Sequence, residues 1–76
     1  MVTAYVMVKA NTGEADRLKT EIMDLDGVVD AHIVAGDVDI IAKLDVDSTA
    51  DVKAIAADGI QNVEGVEDTQ TYIAMD

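Results

Sequence analysis

The sequence predicts an α+β domain of the ferredoxin-like type, in which four strands form one antiparallel sheet and two helices cover one face, in the order βαββαβ. Three observations support this fold class. Apolar residues alternate along four segments, which is typical of half-buried strands. Apolar residues three and four positions apart fill two other segments, which is typical of amphipathic helices. The two halves also resemble each other, because LDGV at residues 25–28 and VEGV at residues 63–66 each lead into a strand.

The first half is read as strand, helix and strand. Residues 2–9 predict the first strand, with one face formed by Val2, Ala4, Val6 and Val8. Asn11 and Glu14 have the spacing of a capping box, so a helix is expected to begin in the turn at residues 11–14. Its apolar stripe consists of Ala15, Leu18, Ile22 and Leu25, and Gly27 is its expected C-terminal cap. Residues 28–35 predict the second strand, with one face formed by Val29, Ala31, Ile33 and Ala35.

The second half repeats this order. Gly36 and Asp37 give a turn signal, and residues 38–46 predict a third strand, in which Val38, Ile40, Ala42, Leu44 and Val46 alternate with Asp39, Ile41, Lys43 and Asp45. Ser48 followed by Asp51 predicts the next helix cap. The stripe of that helix consists of Val52, Ile55, Ala56, Ile60 and Val63. Gly65 is expected to end the helix, and residues 67–74 predict the fourth strand, so the 76 residues form a single domain, residues 1–76.

Composition and charge exclude several classes of function. Sixteen acidic residues against five basic ones give a formal charge of −11, whereas direct nucleic acid binding needs a cluster of basic residues. With no cysteine and one histidine, we expect neither a metal site nor a cofactor. No apolar stretch is long enough to cross a membrane and no signal peptide pattern opens the chain, so a cytoplasmic protein is expected. The excess of acid also resembles the composition of salt-adapted, halophilic proteins.

The sheet face away from the helices is predicted to be an association surface. It would carry Tyr5, Met7 and, depending on the strand register, some of Ile33, Ile41, Tyr72 and Ile73. An apolar patch of this kind usually marks a contact between proteins. A domain of this size also buries only a small core, so we expect at least a homodimer in which two sheets pack face to face.

Few residues offer chemistry. Ser48 is explained by its place at a helix cap, and His32 lies on a predicted strand with no surrounding motif. Asp37 and Asp39 are two residues apart, so their carboxylates would leave one face of a strand and could hold an ammonium group. Thr69 and Thr71 place two hydroxyl groups on one face of the last strand, where they could donate to a ligand.

The order of these motifs resembles the effector-binding domain of the Lrp/AsnC (leucine-responsive, feast/famine) transcriptional regulators. The resemblance rests on the DGV helix exit at residues 26–28, the G-x-x-D turn at residues 36–39, and the second GV followed by T-x-T at residues 65–71. It covers essentially the whole chain. It implies a dimeric α+β barrel, rings of dimers such as octamers or decamers, and a small effector, typically an amino acid, bound between dimers.

Carried over position by position, the resemblance implies an effector site formed by Gly36, Asp37, Val38, Asp39, Thr69 and Thr71. Many members of the family have an aromatic residue where this chain has Val38. They also carry an N-terminal helix-turn-helix, whereas this chain begins with the first strand. We therefore expect a stand-alone sensing module without its own DNA-binding domain, which could act on full-length Lrp/AsnC regulators through mixed assembly.

Two alternatives share the same topology. The first is a small monooxygenase-like enzyme of the dimeric α+β barrel type, with His32 as its catalytic group. Such enzymes usually line their pocket with aromatic and polar residues, which this chain lacks, so we expect no enzyme activity. The second is an ACT-like regulatory domain, which also senses amino acids but is normally fused to an enzyme.

Overall fold

The computed structural model describes residues 1–11 and 13–76. Its strands are β1 (Val2–Ala10), β2 (Val28–Ile33), β3 (Ile40–Val46) and β4 (Val66–Ile73). Its helices are α1 (Ala15–Met23) and α2 (Thr49–Lys53), and α2 continues as a π-helical segment (Ala54–Gly59) and a 3-10 turn (Ile60–Asn62). The strands form one sheet in the order β2-β3-β1-β4, and each neighbouring pair is antiparallel. This confirms the ferredoxin-like prediction.

The core lies between the sheet and the helices. Every second residue of β1 points into it, so Ala4, Val6 and Val8 are fully buried, as the alternation predicts. The other buried residues are aliphatic too: Leu18, Ile22, Val28, Ala31, Ile40, Ala42, Leu44, Val52, Ala56 and Ile60. Burying one Leu or Ile side chain contributes roughly 1.5–3 kcal/mol, so this small aliphatic set supplies most of the favourable free energy of folding. No helix in the described part of the chain is long and apolar enough to span a bilayer.

The second helix begins where the sequence predicts. The Ser48 hydroxyl accepts a hydrogen bond from the backbone N–H of Asp51 at 3.3 Å, which satisfies one of the free donors of the first turn. The π-helical segment then winds the chain more widely than an α-helix. Val52, Ala56 and Ile60, each four residues from the next, therefore all face the core.

The first helix begins later than predicted. Glu14 occupies the N-cap position of α1, and the backbone N–H of Asn11 instead donates to the carbonyl oxygen of Gly65 at 3.0 Å. The prediction that Asn11 caps the helix is therefore wrong, since that backbone bond holds Asn11 against the turn before β4. Thr12, which belongs to the predicted turn, lies outside the described residues.

The repeated glycines form matching turns and are not helix caps. The helix α1 ends at Met23, and Gly27 lies in a turn closed by the N–H of Val28 and the carbonyl oxygen of Leu25. Gly65 lies in an equivalent turn, closed by Val66 N–H and the Val63 carbonyl. The φ angles of the two glycines are 96° and 103°, a conformation that a turn with glycine in its third position requires.

The second strand departs from its predicted pattern. Its register against β3 shifts between Val28 and Asp30, which marks a β-bulge. Val28 and Ala31 consequently face the core while Val29 is 52% exposed, so the prediction that Val29 and Ala31 share a face is wrong. The strand also ends at Ile33 rather than at residue 35.

Residues 34–39 form a loop rather than the strand ends that the sequence predicts. The N–H of Val34 donates to the Asp39 carbonyl at 2.8 Å and closes the connection between β2 and β3. The N–H of Asp39 in turn donates to the Val8 carbonyl at 2.9 Å, which draws the loop across the end of β1. Asp37 and Asp39 therefore belong to this loop, and Val38 does not continue the inner face of β3.

Candidate functional site

A cavity lies where this loop meets the end of the sheet. It measures about 260 Å³ and is lined by Met7, Lys9, Asp37, Val38, Asp68, Thr69 and Gln70. We call it the loop cavity. Three of the six residues that the sequence assigns to an effector site line it: Asp37, Val38 and Thr69. The single chain therefore brings the G-x-x-D loop and the T-x-T strand together without a second copy.

Strand pairing explains how the loop cavity forms. The central strand β1 lies beside β4, with Met7 opposite Gln70, Val8 opposite Thr69 and Lys9 opposite Asp68. Since side chains alternate along a strand, Met7 and Lys9 leave the face opposite to Val6 and Val8. The loop is bonded to the end of β1 through the N–H of Asp39, and Asp37 and Val38 line the cavity together with these outward side chains.

Asp39 holds the loop in place and does not line the cavity. Its Oδ2 accepts a hydrogen bond from the backbone N–H of Ala10 at 2.8 Å. The pairing of β1 with β4 shifts register between Lys9 and Ala10, so this N–H sits at an irregular point of the ladder and the carboxylate satisfies it. The side chain that the sequence assigns to ligand binding thus joins the loop to β1.

Gly36 and Thr71 also lie outside the loop cavity. Gly36 is exposed in the loop, and a Cβ at that position would meet no atom of the described residues within 4 Å. Thr71 faces the helices, because it pairs with Val6, and it lines a separate groove of about 310 Å³ between β4 and the second helix. Thr69 shares that orientation, and its hydroxyl accepts a hydrogen bond from Gln61 Nε2 at 2.8 Å.

Four cavity residues were not predicted from the sequence: Met7, Lys9, Asp68 and Gln70. The sequence contains only part of the information needed to identify them. Lys9 is the one charged residue among the outward positions of the first predicted strand, and Asp68 directly precedes the T-x-T motif. That they face each other follows from the pairing of β1 with β4, which local patterns do not reveal.

The loop cavity contains charges of both signs. Lys9 brings a cation, while Asp37 and Asp68 bring carboxylates. Among residues 1–11 and 13–76, the ion pairs are those of Arg17 with Glu14 and Glu21 and of His32 with Asp30, so Lys9 makes none. An ammonium group without an ion pair, placed beside two carboxylates that retain free acceptor oxygens, can take a ligand that itself carries both charges.

A larger cavity lies at the opposite end of the sheet and has a different character. It measures about 410 Å³, and its charged lining consists of four carboxylates, those of Asp26, Asp45, Asp47 and Asp51. Among the residues that the structure describes, no basic side chain lines it. Within the described ranges, no group of His, Cys, Asp and Glu residues has the geometry to hold a metal ion.

His32 lies on the outer face of β2, away from all three of these cavities. Its Nε2 lies 3.0 Å from Asp30 Oδ2, and both side chains are exposed. The hydrogen bond from His32 lowers the pKa of the Asp30 carboxyl. An open surface pair of this kind offers no enclosed space for a substrate, so the geometry gives no support to a catalytic role for His32.

The sheet face away from the helices carries the predicted apolar patch. It consists of Tyr5, Met7, Ile41 and Tyr72, with Tyr5 opposite Tyr72 and Met7 opposite Ile41. We call it the outer patch. Ile33 and Ile73, which the sequence left undecided, pair with the inward residues Ile40 and Ala4 and so face the helix side. Met7 belongs to both the outer patch and the loop cavity, so the two surfaces are continuous.

Comparisons with known proteins agree on one family. The profile of the Lrp/AsnC ligand binding domain matches residues 3–76. The leucine-responsive regulatory protein of Escherichia coli (strain K12) is 27% identical over 75 residues, which cover 95% of this chain and 46% of that protein. The chain thus spans about half the length of the curated relatives it matches.

Solved structures show the same fold. The crystal structure of TTHA0845 from Thermus thermophilus matches with a TM-score of 0.94 and 28% identity, covering 100% of this chain and 95% of that one. A transcriptional regulator from Neisseria meningitidis, solved as a complex with L-Met, matches with a TM-score of 0.85. It is 14% identical and the match covers 99% of this chain and 50% of that one, so this likeness shows the fold alone.

Proposed function

Because this chain belongs to the Lrp/AsnC ligand-binding domain family, we propose that it is a small-molecule sensing and oligomerisation module of transcription regulation. Its effector in this proposal is a free amino acid. The family consists of ligand-binding domains of transcription regulators, and we propose no enzyme activity and no cofactor for this member. We place its action in the cytoplasm.

The observation that carries the proposal is the loop cavity. It joins the loop at residues 34–39 to the start of β4, and these are the segments to which the family resemblance assigns the effector. Cavities for small ligands combine apolar walls with a few placed polar groups, and this one combines Met7 and Val38 with Lys9 and Asp37. Gly36, Asp39 and Thr71 then act beside the cavity: Asp39 holds the loop, and the other two lie next to lining residues.

The amino-acid class of the effector is supported by a relative. The leucine-responsive regulatory protein of Escherichia coli is named for its response to leucine. A cavity of about 260 Å³ is small, and a single amino acid is among the smaller ligands that carry both a cation and an anion.

Assembly is the second part of the proposal. The outer patch exposes Tyr5 by 37% and Tyr72 by 56%, and a second copy packed sheet against sheet would cover both. The outward positions of the four strands carry two lysines and three aspartates, so this face is close to neutral although the chain carries −11. Two copies therefore meet here with little charge repulsion. We propose a homodimer that builds a higher ring, an octamer or a decamer.

We propose that this chain affects transcription by assembling with relatives that carry a DNA-binding part. Both helices of the described residues pack on the sheet and belong to the core. In this proposal residues 1–76 form one sensing domain, and full-length Lrp/AsnC regulators that form mixed assemblies with it contact the DNA. We interpret the acidic surface as a halophilic adaptation, because repulsion between its charges is relieved by salt.

A thermal-shift screen of the twenty amino acids, combined with light scattering in molar KCl, tests both parts. We expect at least one amino acid to raise the melting temperature and the scattering mass to exceed that of the 8.0 kDa chain at least twofold. Replacing Tyr72 by Asp should lower that mass, because a charge would be buried in the interface. A monomer at micromolar concentration would contradict the assembly, and no stabilisation by any amino acid would contradict the sensing role.

A further inference from the structure

We infer that Lys9 is the anchor for the α-carboxylate of the effector, and that the loop cavity selects an α-amino acid with an apolar side chain. This inference rests on the proposed function and adds to it the chemistry of recognition. Neither the G-x-x-D loop nor the T-x-T strand contains a cation, so those motifs alone leave the carboxylate of an amino acid without a charged partner.

Lys9 is placed to fill that role. It projects from the outer face of β1 into the loop cavity, and within the described ranges its ammonium group makes no ion pair or hydrogen bond. Asp68 lies opposite it on β4, but one carboxylate oxygen of Asp68 already accepts the N–H of Thr69 at 2.9 Å. An ammonium group donates up to three hydrogen bonds, so Lys9 can hold a ligand carboxylate.

The carboxylates of the loop cavity suit the other end of the ligand. Asp37 is exposed in the loop and, unlike that of Asp39, its carboxylate accepts no backbone N–H from the described part of the chain. Together with the second oxygen of Asp68, it offers acceptors for an α-ammonium group. The cation and the carboxylates line one cavity, so a ligand whose ammonium and carboxylate groups are attached to the same carbon can contact them together.

The rest of the lining determines the side-chain class. Once the two charged ends are paired, the remaining lining residues are the apolar Met7 and Val38 and the polar but uncharged Thr69 and Gln70. Val38 is a small aliphatic residue at the loop, and Met7 adapts to different shapes because its side chain is unbranched. An acidic side chain would meet Asp37 and Asp68 without a second cation and is therefore disfavoured. Because Met7 and Val38 offer apolar contacts, we expect aliphatic amino acids to bind best.

Calorimetry on matched variants tests Lys9. The probes are L-leucine, L-isoleucine, L-valine and L-methionine, together with the amide of the tightest binder, which keeps the ammonium group but has no carboxylate. The parent should bind the free acid more tightly than the amide. In Lys9→Gln the free acid should bind about tenfold to a hundredfold more weakly, which corresponds to one charge-assisted hydrogen bond, while binding of the amide is unchanged.

Lys53→Gln is the matched control. It makes the same change in net charge on the opposite side of the sheet, where Lys53 is exposed on α2. This variant should bind the free acid as the parent does. Retained binding of the amide by Lys9→Gln shows that the cavity is intact. Weaker binding of the free acid then reports the loss of the Lys9 ammonium group.

The outcomes separate the two proposals. If the parent binds an aliphatic amino acid and Lys9→Gln binds it equally well, the anchor is wrong and the sensing function stands. If the parent binds only amino acids with charged side chains, the assigned side-chain class is wrong. If the parent binds none of the twenty amino acids, both the proposed function and this inference are overturned.

Discussion

Replacing Asp39 by Ala should destabilise the protein far more than replacing Asp37. The Oδ2 atom of Asp39 is 2.8 Å from the backbone nitrogen of Ala10, which is partly buried at the register shift in β1. Without the carboxylate this N–H loses its partner, and the loop loses its side-chain attachment to the sheet. Asp37 is exposed in the same loop and serves as the matched control, since its removal changes net charge equally.

The size of the effect follows from the kind of bond. A hydrogen bond to a charged group contributes about 1.5–3 kcal/mol, and partial exposure of this one places it near the lower end, at about 1.5–2 kcal/mol. For a domain of this length, each kcal/mol shifts the melting temperature by about 4–8 °C, which gives a fall of about 6–16 °C for Asp39→Ala. An exposed substitution such as Asp37→Ala should stay within about 0.5 kcal/mol of the parent.

Urea unfolding and thermal melts followed by circular dichroism measure both variants. Protein concentration and salt are held constant, because association would make the melting temperature depend on concentration. Asp39→Asn adds a further test, since its side-chain oxygen can still accept the bond and should restore part of the loss. Equal stability of Asp39→Ala and Asp37→Ala would refute the structural role of Asp39.

Three further predictions follow from the described geometry. Gly27→Ala should lower the melting temperature by several degrees at least, because the φ of 96° is strained for alanine and its Cβ would collide with Ile55; an unchanged melt would contradict this. His32→Ala should raise the pKa of the Asp30 carboxyl towards its ordinary value, which an NMR titration measures. The lowered pKa stabilises the folded state at pH values above the ordinary pKa, and this small contribution is lost as the pH falls through the lowered pKa. Added KCl should raise the melting temperature steeply, because a net charge of −11 on 76 residues produces repulsion that salt screens. A flat profile up to molar salt would contradict that expectation.

Local patterns predicted the elements well. The alternation along β1 and the stripe of Leu18 and Ile22 identify the core face directly, because burial of one face imposes period two on strands and about three and a half on helices. The cap at Ser48 was also predictable, since it depends on residues only three apart. The bulge in β2 was not, because Val29 is as apolar as its neighbours and only pairing with β3 shows that it turns outward.

The candidate site was predictable only in part, for a related reason. Asp37, Val38 and Thr69 could be proposed from motifs, but Lys9 becomes a candidate only when β1 is placed beside β4. The role of Asp39 was hidden for another reason: its partner is a backbone N–H, which every residue except proline has. Sequence patterns show which side chains are polar, but they do not show which polar groups are already satisfied by the fold.

The β-bulge at the start of β2 has a consequence for how the protein avoids aggregation. Both β2 and β4 are edge strands, with unpaired backbone groups to which another chain could add. A bulge makes an edge irregular and twists it, so β2 is a poor template for a further strand. On β4, Glu67 and Asp68 are exposed at the start of the strand, and like charges would face each other if two such edges paired. Addition of a further strand is thus disfavoured at both edges of the sheet, while the outer face remains accessible. Association is therefore directed towards face-to-face contact and away from fibres.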